Sequence, residues 1–160
     1  MAVTDDIAAS YLRPRAVIRR KLQAGVREDR ALATLIGASA LIFLGQWPGL
    51  ARAAHLDPSQ PLDARMAGAL LGTLFLLPPL AYGIAGLSHL AARALGGRGS
   101  YFAARLALFW ALLAVAPVML LQGLMRGFLG DGAGTVTIGV MVLGVFLWIW
   151  GSMLAEAERG

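Results

Sequence analysis

Four long stretches of this sequence contain no Asp, Glu, Lys or Arg, and each one ends at a charged residue. They cover Ala31–Ala51, Met66–Ala92, Leu106–Met125 and Gly132–Ala155. A helix needs about 20 apolar residues to cross the hydrocarbon core of a bilayer, and a charge at the centre of such a helix costs about 2.5–3.5 kcal/mol. Continuous apolar runs without alternation favour helices over strands. We therefore predict four transmembrane helices.

The composition agrees with a chain whose outer surface faces lipid. Hydrophobic residues make up 58% of the sequence and charged residues only 14%, whereas a soluble domain carries about 25% charged residues. We predict an all-α fold: a polytopic bundle of four transmembrane helices preceded by an amphipathic interfacial segment. The predicted parts are a basic segment at residues 1–30, a transmembrane domain at 31–155 with spans at about 31–50, 66–90, 104–125 and 133–155, and a short tail at 156–160.

The basic residues are distributed unevenly between the two sides of such a bundle. With four spans, the N-terminal segment, the second connection and the tail share one side and carry eleven Lys and Arg, against three on the other side. The positive-inside rule then places both termini in the cytoplasm. Arg outnumbers Lys by 13 to 1, a usage typical of GC-rich bacterial genomes, and the predicted location is a bacterial inner membrane.

Residues 1–30 are expected to fold at the membrane surface. Pro14 predicts a break near Leu12–Pro14 between two short helices, because proline removes a helix hydrogen bond and clashes with the preceding turn. The second helix should end near Gly25. Four apolar side chains share one helical stripe with arginines beside it: Ile7, Tyr11, Ile18 and Leu22. A basic amphipathic segment of this kind lies at the lipid surface, where each Lys or Arg gains about 1 kcal/mol from anionic headgroups.

The candidate contact residues are the basic side chains of this segment. We predict that lipid headgroups or a partner meet Arg13, Arg15, Arg19, Arg20 and Lys21. The alternative is that these charges only set the topology. The expected partners are anionic membrane lipids and either another protein or a second copy of this chain, and no nucleic acid is expected.

Three prolines are predicted to distort the membrane helices. Pro78 and Pro79 lie in the middle of the second span and should kink or interrupt it, and Pro117 should act more mildly in the third. Broken helices line substrate sites in some transporters. The alternative function is therefore a small transporter or channel component with its pathway at Pro78–Pro79, although ordinary helix packing is the favoured explanation of these prolines.

Small and aromatic residues give further packing predictions. Three glycine pairs recur at four-residue spacing, which allows helices to approach closely or a second copy to bind: Gly45/Gly49, Gly68/Gly72 and Gly123/Gly127. Packing within the chain is the default expectation. Trp110 and Trp148 are expected to pack inside the bundle, whereas Tyr101 and Trp150 fit the membrane interfaces.

The sequence contains few residues that could support catalysis. Cysteine is absent, which excludes thiolate nucleophiles and Cys-ligated metals. His55 and His89 fall on opposite sides of the predicted topology, so His89 is expected to act as a hydrogen bonder at a helix end. The spans carry no deep Asp, Glu, Lys or Arg, as a proton-coupled pump usually requires. We expect no enzyme activity, no metal and no cofactor.

The arrangement resembles the Yip1-like family of small multi-span membrane proteins, bacterial type. The resemblance is carried by the basic lead-in Tyr11-Leu-Arg-Pro-Arg15, the helix Ala16–Gln23 and the proline-containing second span Leu76-Leu-Pro-Pro-Leu80. It implies a membrane scaffold or a protein and lipid interaction module, since eukaryotic relatives are described as partners of small GTPases in membrane traffic. The chain departs from the family's usual five spans, and no functional residue is carried over.

Overall fold

The computed structural model describes residues 2–160, and the regular elements in that range are all helical. Two short helices, α1 (Val3–Leu12) and α2 (Pro14–Gln23), precede the long helix α3 (Glu28–Leu56). The second long stretch consists of α4 (Leu62–Leu70), a π-helical turn (Leu71–Leu76) and α5 (Leu77–Ala94). Two further long helices complete the chain, α6 (Tyr101–Leu129) and α7 (Ala133–Ala157).

Four helical stretches are long and apolar enough to cross a membrane. They are Glu28–Leu56, Leu62–Ala94, Tyr101–Leu129 and Ala133–Ala157. Each contains one predicted span and extends past it, because helical hydrogen bonding continues into the polar residues that flank an apolar run. The prediction of an all-α bundle with four membrane-type helices is confirmed.

Helix α6 occupies the centre of the bundle. In its most apolar window 61% of the residues are buried, compared with 28% for α3 and 17% for each of the other two stretches. It packs against α3, α5 and α7 and also against α1 and α2. Between α5 and α6, the ring of Tyr82 meets that of Phe109 edge-on at 5.0 Å between centroids. The remaining stretches therefore present most of their apolar surface outward.

The closest helix contact joins α3 and α6, which run in the same direction. A Cβ built on Gly123 would overlap the carbonyl oxygen of Gly45 and lie 2.7 Å from the carbonyl carbon. A Cβ on Gly127 would lie 2.6 Å from the Cβ of Pro48. Two of the three predicted glycine pairs therefore serve packing within the chain. Gly68 and Gly72 have open space beside them.

The second stretch remains helical past its two prolines. The N–H of Leu77 donates to the carbonyl of Gly72, five residues earlier, which is π-helical spacing. Pro78 and Pro79 follow directly and lie in the first turn of α5, where a missing N–H is tolerated. In place of the predicted kink or interruption, the helix contains a π-helical turn of six residues. Pro117 lies inside α6, which continues through it.

The bundle has two chemically different ends. One end, called the basic end below, gathers α1, α2, the connection 95–100 and residues 158–160; the opposite end, called the far end, carries the connections 57–61 and 130–132. An ion pair between Arg105 and Glu28 joins α6 to α3 at the basic end. At the far end, Arg126 of α6 pairs with Asp131 at 2.6 Å.

Candidate functional site

The first two helices form a helical hairpin at the basic end, called the N-terminal hairpin below (residues 3–23). Helix α1 ends at Leu12, and α2 begins with Pro14 at its first position, where the fixed φ of proline suits a helix start. Arg13 lies between the two helices in a non-helical conformation. The predicted break near Leu12–Pro14 is confirmed, and α2 ends two residues before Gly25.

The apolar stripe of the hairpin faces the protein and not the lipid. Ile18 is fully buried, and Ile7, Tyr11 and Leu22 pack against the same core cluster. These four side chains therefore pack on protein, and the location of the segment at the membrane surface stays a prediction. An amphipathic stripe specifies only that one face leaves water; here α6 and α7 supply the apolar surface that covers it.

A closed ring of polar contacts fixes the hairpin to α6. The hydroxyl of Ser10 donates to the Asp6 carbonyl at 2.7 Å and accepts from Trp110 Nε1 at 2.9 Å. The ammonium of Lys21 lies 3.6 Å from the centroid of the Trp110 ring and 2.9 Å from Asp6 Oδ2. Ser10, Asp6 and Trp110 are all buried. A buried polar group without a partner is costly. Displacing any member of the ring would leave its neighbours unpaired, so the contacts hold one another in place.

Tyr11 provides a second attachment. Its hydroxyl donates to the Ala114 carbonyl at 2.5 Å. That carbonyl is next to that of Leu113, which Pro117 leaves without the usual N–H partner four residues later. Burial raises the pKa of Tyr11 above its ordinary value, so the phenol stays protonated and able to donate. Pro117 therefore lies close to the point at which the Tyr11 side chain contacts the backbone of α6.

The five predicted contact residues divide into two groups. Arg19 pairs with Glu156 of α7, with Nε and Oε1 2.7 Å apart. Arg20 and Lys21 both pair with Asp6. Within residues 2–160, Arg13 and Arg15 form no ion pair, and both are exposed. Three of the predicted contacts therefore take part in holding the hairpin together or to the bundle, and two point outward.

A cavity of about 530 Å³ opens between the hairpin, α3 and α6. One acid and four basic side chains line it: Asp6, Arg20, Lys21, Arg27 and Arg30. The α6 wall of the cavity is apolar and aromatic, formed by Phe102, Leu106 and Trp110. Arg27 and Arg30 were not among the predicted contact residues; the only sequence signal for them is that they close the basic segment directly before the first span.

The carboxyl-terminal end of α7 is tied to the α5–α6 connection. His89 Nδ1 lies 2.7 Å from Glu158 Oε1, and both side chains are buried. Glu158 Oε2 accepts from the Gly99 N–H at 3.2 Å, and the Glu158 carbonyl accepts from the Arg98 N–H at 2.7 Å. The prediction that His89 makes a hydrogen bond at a helix end is confirmed. The exposed His55 lies at the far end, as predicted.

A second cavity, of about 320 Å³, lies between α3 and α6 toward the far end. Its polar lining comes from Gln46, Gln122 and the Arg126–Asp131 pair. Neither this cavity nor the one at the basic end is lined by Pro78, Pro79 or Pro117. The helix distortion in the second stretch and these two cavities are therefore at different places.

No protein-family model, no curated protein and no solved structure matches this chain. Within residues 2–160, no three His, Asp or Glu side chains lie close enough together to hold a metal ion. What the basic end offers chemically is a concentration of guanidinium and ammonium groups beside an apolar wall. Groups of this kind recognise anions by charge and by paired N–H donors.

Proposed function

We propose that this chain is a non-enzymatic membrane scaffold of Yip1-like type, located in a bacterial inner membrane with both termini in the cytoplasm. In this role it presents a fixed basic surface to anionic lipid and to a protein partner. The single observation that supports the proposal most is the docked N-terminal hairpin, with Ile18 and Ser10 fully buried while Arg13 and Arg15 face outward. A surface held rigid before binding loses less conformational entropy when a partner arrives.

The orientation is tested by a reporter at the C-terminus. Eleven of the fourteen Lys and Arg lie on the side of the two termini in this topology, and such an excess is retained in the cytoplasm. A fluorescent or enzymatic reporter that works only in the cytoplasm should therefore be active when fused after Gly160. Activity of the matching periplasmic reporter at the same position would contradict the topology.

The interaction role is tested by photo-crosslinking in native membranes. A photoreactive amino acid at the exposed position Ala16 lies directly after Arg15 and leaves both outward arginines in place. We expect a discrete protein adduct there, and its loss in an Arg13→Glu/Arg15→Glu variant, because charge reversal repels an acidic partner. The same probe at Ile36, whose side chain is exposed on the apolar part of α3, should give lipid adducts only.

A matched charge control separates local contact from general electrostatics. Arg93 is exposed, lies at the basic end and makes no ion pair within residues 2–160. Arg93→Glu should leave the adduct at Ala16 unchanged. A pattern at Ala16 that equals the pattern at Ile36, with no protein adduct, would rule out a partner at this surface.

A further inference from the structure

The cavity at the basic end carries an excess of positive charge. Four basic side chains and one acid line it. Asp29 lies outside the lining and pairs with Arg27 at 2.8 Å; with this carboxylate counted, the named charged side chains still carry a net positive formal charge. The volume of about 530 Å³ is within the range of about 300–1,000 Å³ that is usual for ligand sites. An anion in the cavity is therefore attracted by the excess of positive charge around it.

Arg30 is the basic residue of the cavity with the fewest ties to the protein. Arg27 is held by two hydrogen bonds to Asp29, and Lys21 by Asp6 and the Trp110 ring. Arg30 makes no side-chain hydrogen bond or ion pair within residues 2–160, and its side chain is exposed. Its planar guanidinium is therefore available to bind two oxygens of a phosphate at once.

The cavity crosses the boundary between the charged and the apolar parts of the bundle. Arg27 and Arg30 come directly before the first charge-free run, whereas Leu106 and Trp110 lie inside the third. Cations therefore line one side of the cavity and an apolar wall the other. This is the order of polarity across the headgroup region of a membrane, with phosphate outside and hydrocarbon inside.

The surface beside the cavity is also apolar. Ala33 lies in the lining and is exposed, and its neighbours Leu32 and Ile36 on α3 are 45% and 42% exposed. A molecule bound at Arg30 could thus place hydrocarbon along α3 while its head stays among the arginines. A free phosphate would make no use of that apolar flank.

We propose that this cavity binds the phosphate headgroup of a single anionic phospholipid, with its acyl chains lying along α3. The inference rests on the interaction role proposed above and names its lipid and its site. Arg30 binds the phosphate, Arg27 and Lys21 add to the positive field, and the α6 wall excludes water from one side of the headgroup. The cavity thereby recognises headgroup charge at a fixed place on the bundle.

The test is native mass spectrometry of the full chain released from detergent in the presence of phosphatidylglycerol or phosphatidylcholine with identical acyl chains. Wild type should retain one phosphatidylglycerol and should retain phosphatidylcholine much less. Arg30→Gln should weaken phosphatidylglycerol retention about fivefold, since one basic residue near an anionic headgroup is worth about that factor in affinity. Arg30→Lys, which keeps the charge but not the paired N–H donors, should bind between Arg30→Gln and wild type.

Two controls decide whether the effect is local to the cavity and specific to lipid. Arg93→Gln removes an exposed charge at the same end of the bundle but outside the cavity, and should bind like wild type. Water-soluble sn-glycerol 3-phosphate should fail to displace the lipid at equal concentration. Equal retention of the two lipids, an Arg93→Gln loss as large as that of Arg30→Gln, or full displacement by glycerol phosphate would each overturn the proposal.

The outcome is separable from that of the cross-linking experiment. If headgroup selectivity is absent but the protein adduct at Ala16 is present, the lipid site is refuted and the scaffold role still stands. Retained selectivity through Arg30 together with absence of any protein adduct leaves a lipid-binding membrane protein without the proposed partner. The test variants of the two experiments change different residues, Arg13 and Arg15 in one and Arg30 in the other, so neither result depends on the other.

Discussion

Gly123→Leu is expected to prevent α3 and α6 from closing on each other. Even the single carbon of an alanine at Gly123 would overlap the carbonyl oxygen of Gly45. Both clashing groups are at helix backbones, so no side-chain rotation relieves the overlap and the helices have to separate. Overpacking typically costs about 1–3 kcal/mol; we expect Gly123→Ala to reach that range and Gly123→Leu to exceed it.

The measurement is the midpoint of unfolding in a titration of detergent-solubilised protein with dodecyl sulfate. The distances predict a rank order of destabilisation for four alanine variants. Gly123→Ala should be worst, then Gly127→Ala with 2.6 Å to the Cβ of Pro48, then Gly45→Ala with 3.3 Å to the Met119 carbonyl. Gly144→Ala is the matched control, since a Cβ there meets nothing within 4 Å. A Gly123→Ala midpoint equal to that of Gly144→Ala would contradict the α3–α6 register described above.

His89→Leu is expected to destabilise the chain by about 3–5 kcal/mol. Among residues 2–160, His89 is the only side chain that pairs with the carboxylate of Glu158, and the substitution removes it. Both side chains are at least nine-tenths buried. The buried Glu158 carboxylate then keeps the Gly99 N–H but loses the closer contact that offset its lost hydration. The same unfolding titration measures the effect, and His55→Leu, at the exposed histidine, should change the midpoint little.

A second substitution distinguishes lost charge pairing from lost packing. Adding Glu158→Gln to His89→Leu removes the stranded charge while an amide oxygen still accepts the Gly99 N–H. The double variant should therefore be more stable than His89→Leu alone, because it no longer buries a carboxylate that has lost its charged partner. If the double variant is as unstable as the single one, the stability comes from the shape of the histidine and not from its pairing.

The four membrane helices could be predicted because insertion depends on each segment by itself. A run of about 20 residues either contains a charge or does not, and that property needs no knowledge of neighbouring helices. The hairpin break was predictable for the same reason, since Pro14 acts on its own turn. The glycine pairs predicted close packing, but not which helices would meet or that Gly68/Gly72 would be left open.

Predictions that required the rotation of a helix about its axis were less successful. Trp110 packs inside the bundle as expected, yet Trp148, predicted to do the same, is 50% exposed. Trp150 is partly buried and stacks on Phe146, and its assignment to an interface stays a prediction. In α7 apolar residues occur on every side, so the sequence contains no signal for the face that turns inward.

The sequence by itself determined that this protein has four membrane-type helices, a basic end and a two-helix lead-in. Only the tertiary structure decided how those parts contact one another. It turned the stripe of Ile18 toward protein, joined Ser10 to Trp110 and joined His89 to Glu158, contacts that link residues 100 and 69 positions apart. The physical reason is that burial and charge are properties of a segment, whereas a contact between helices depends on rotation and register, which are set only when the helices pack together.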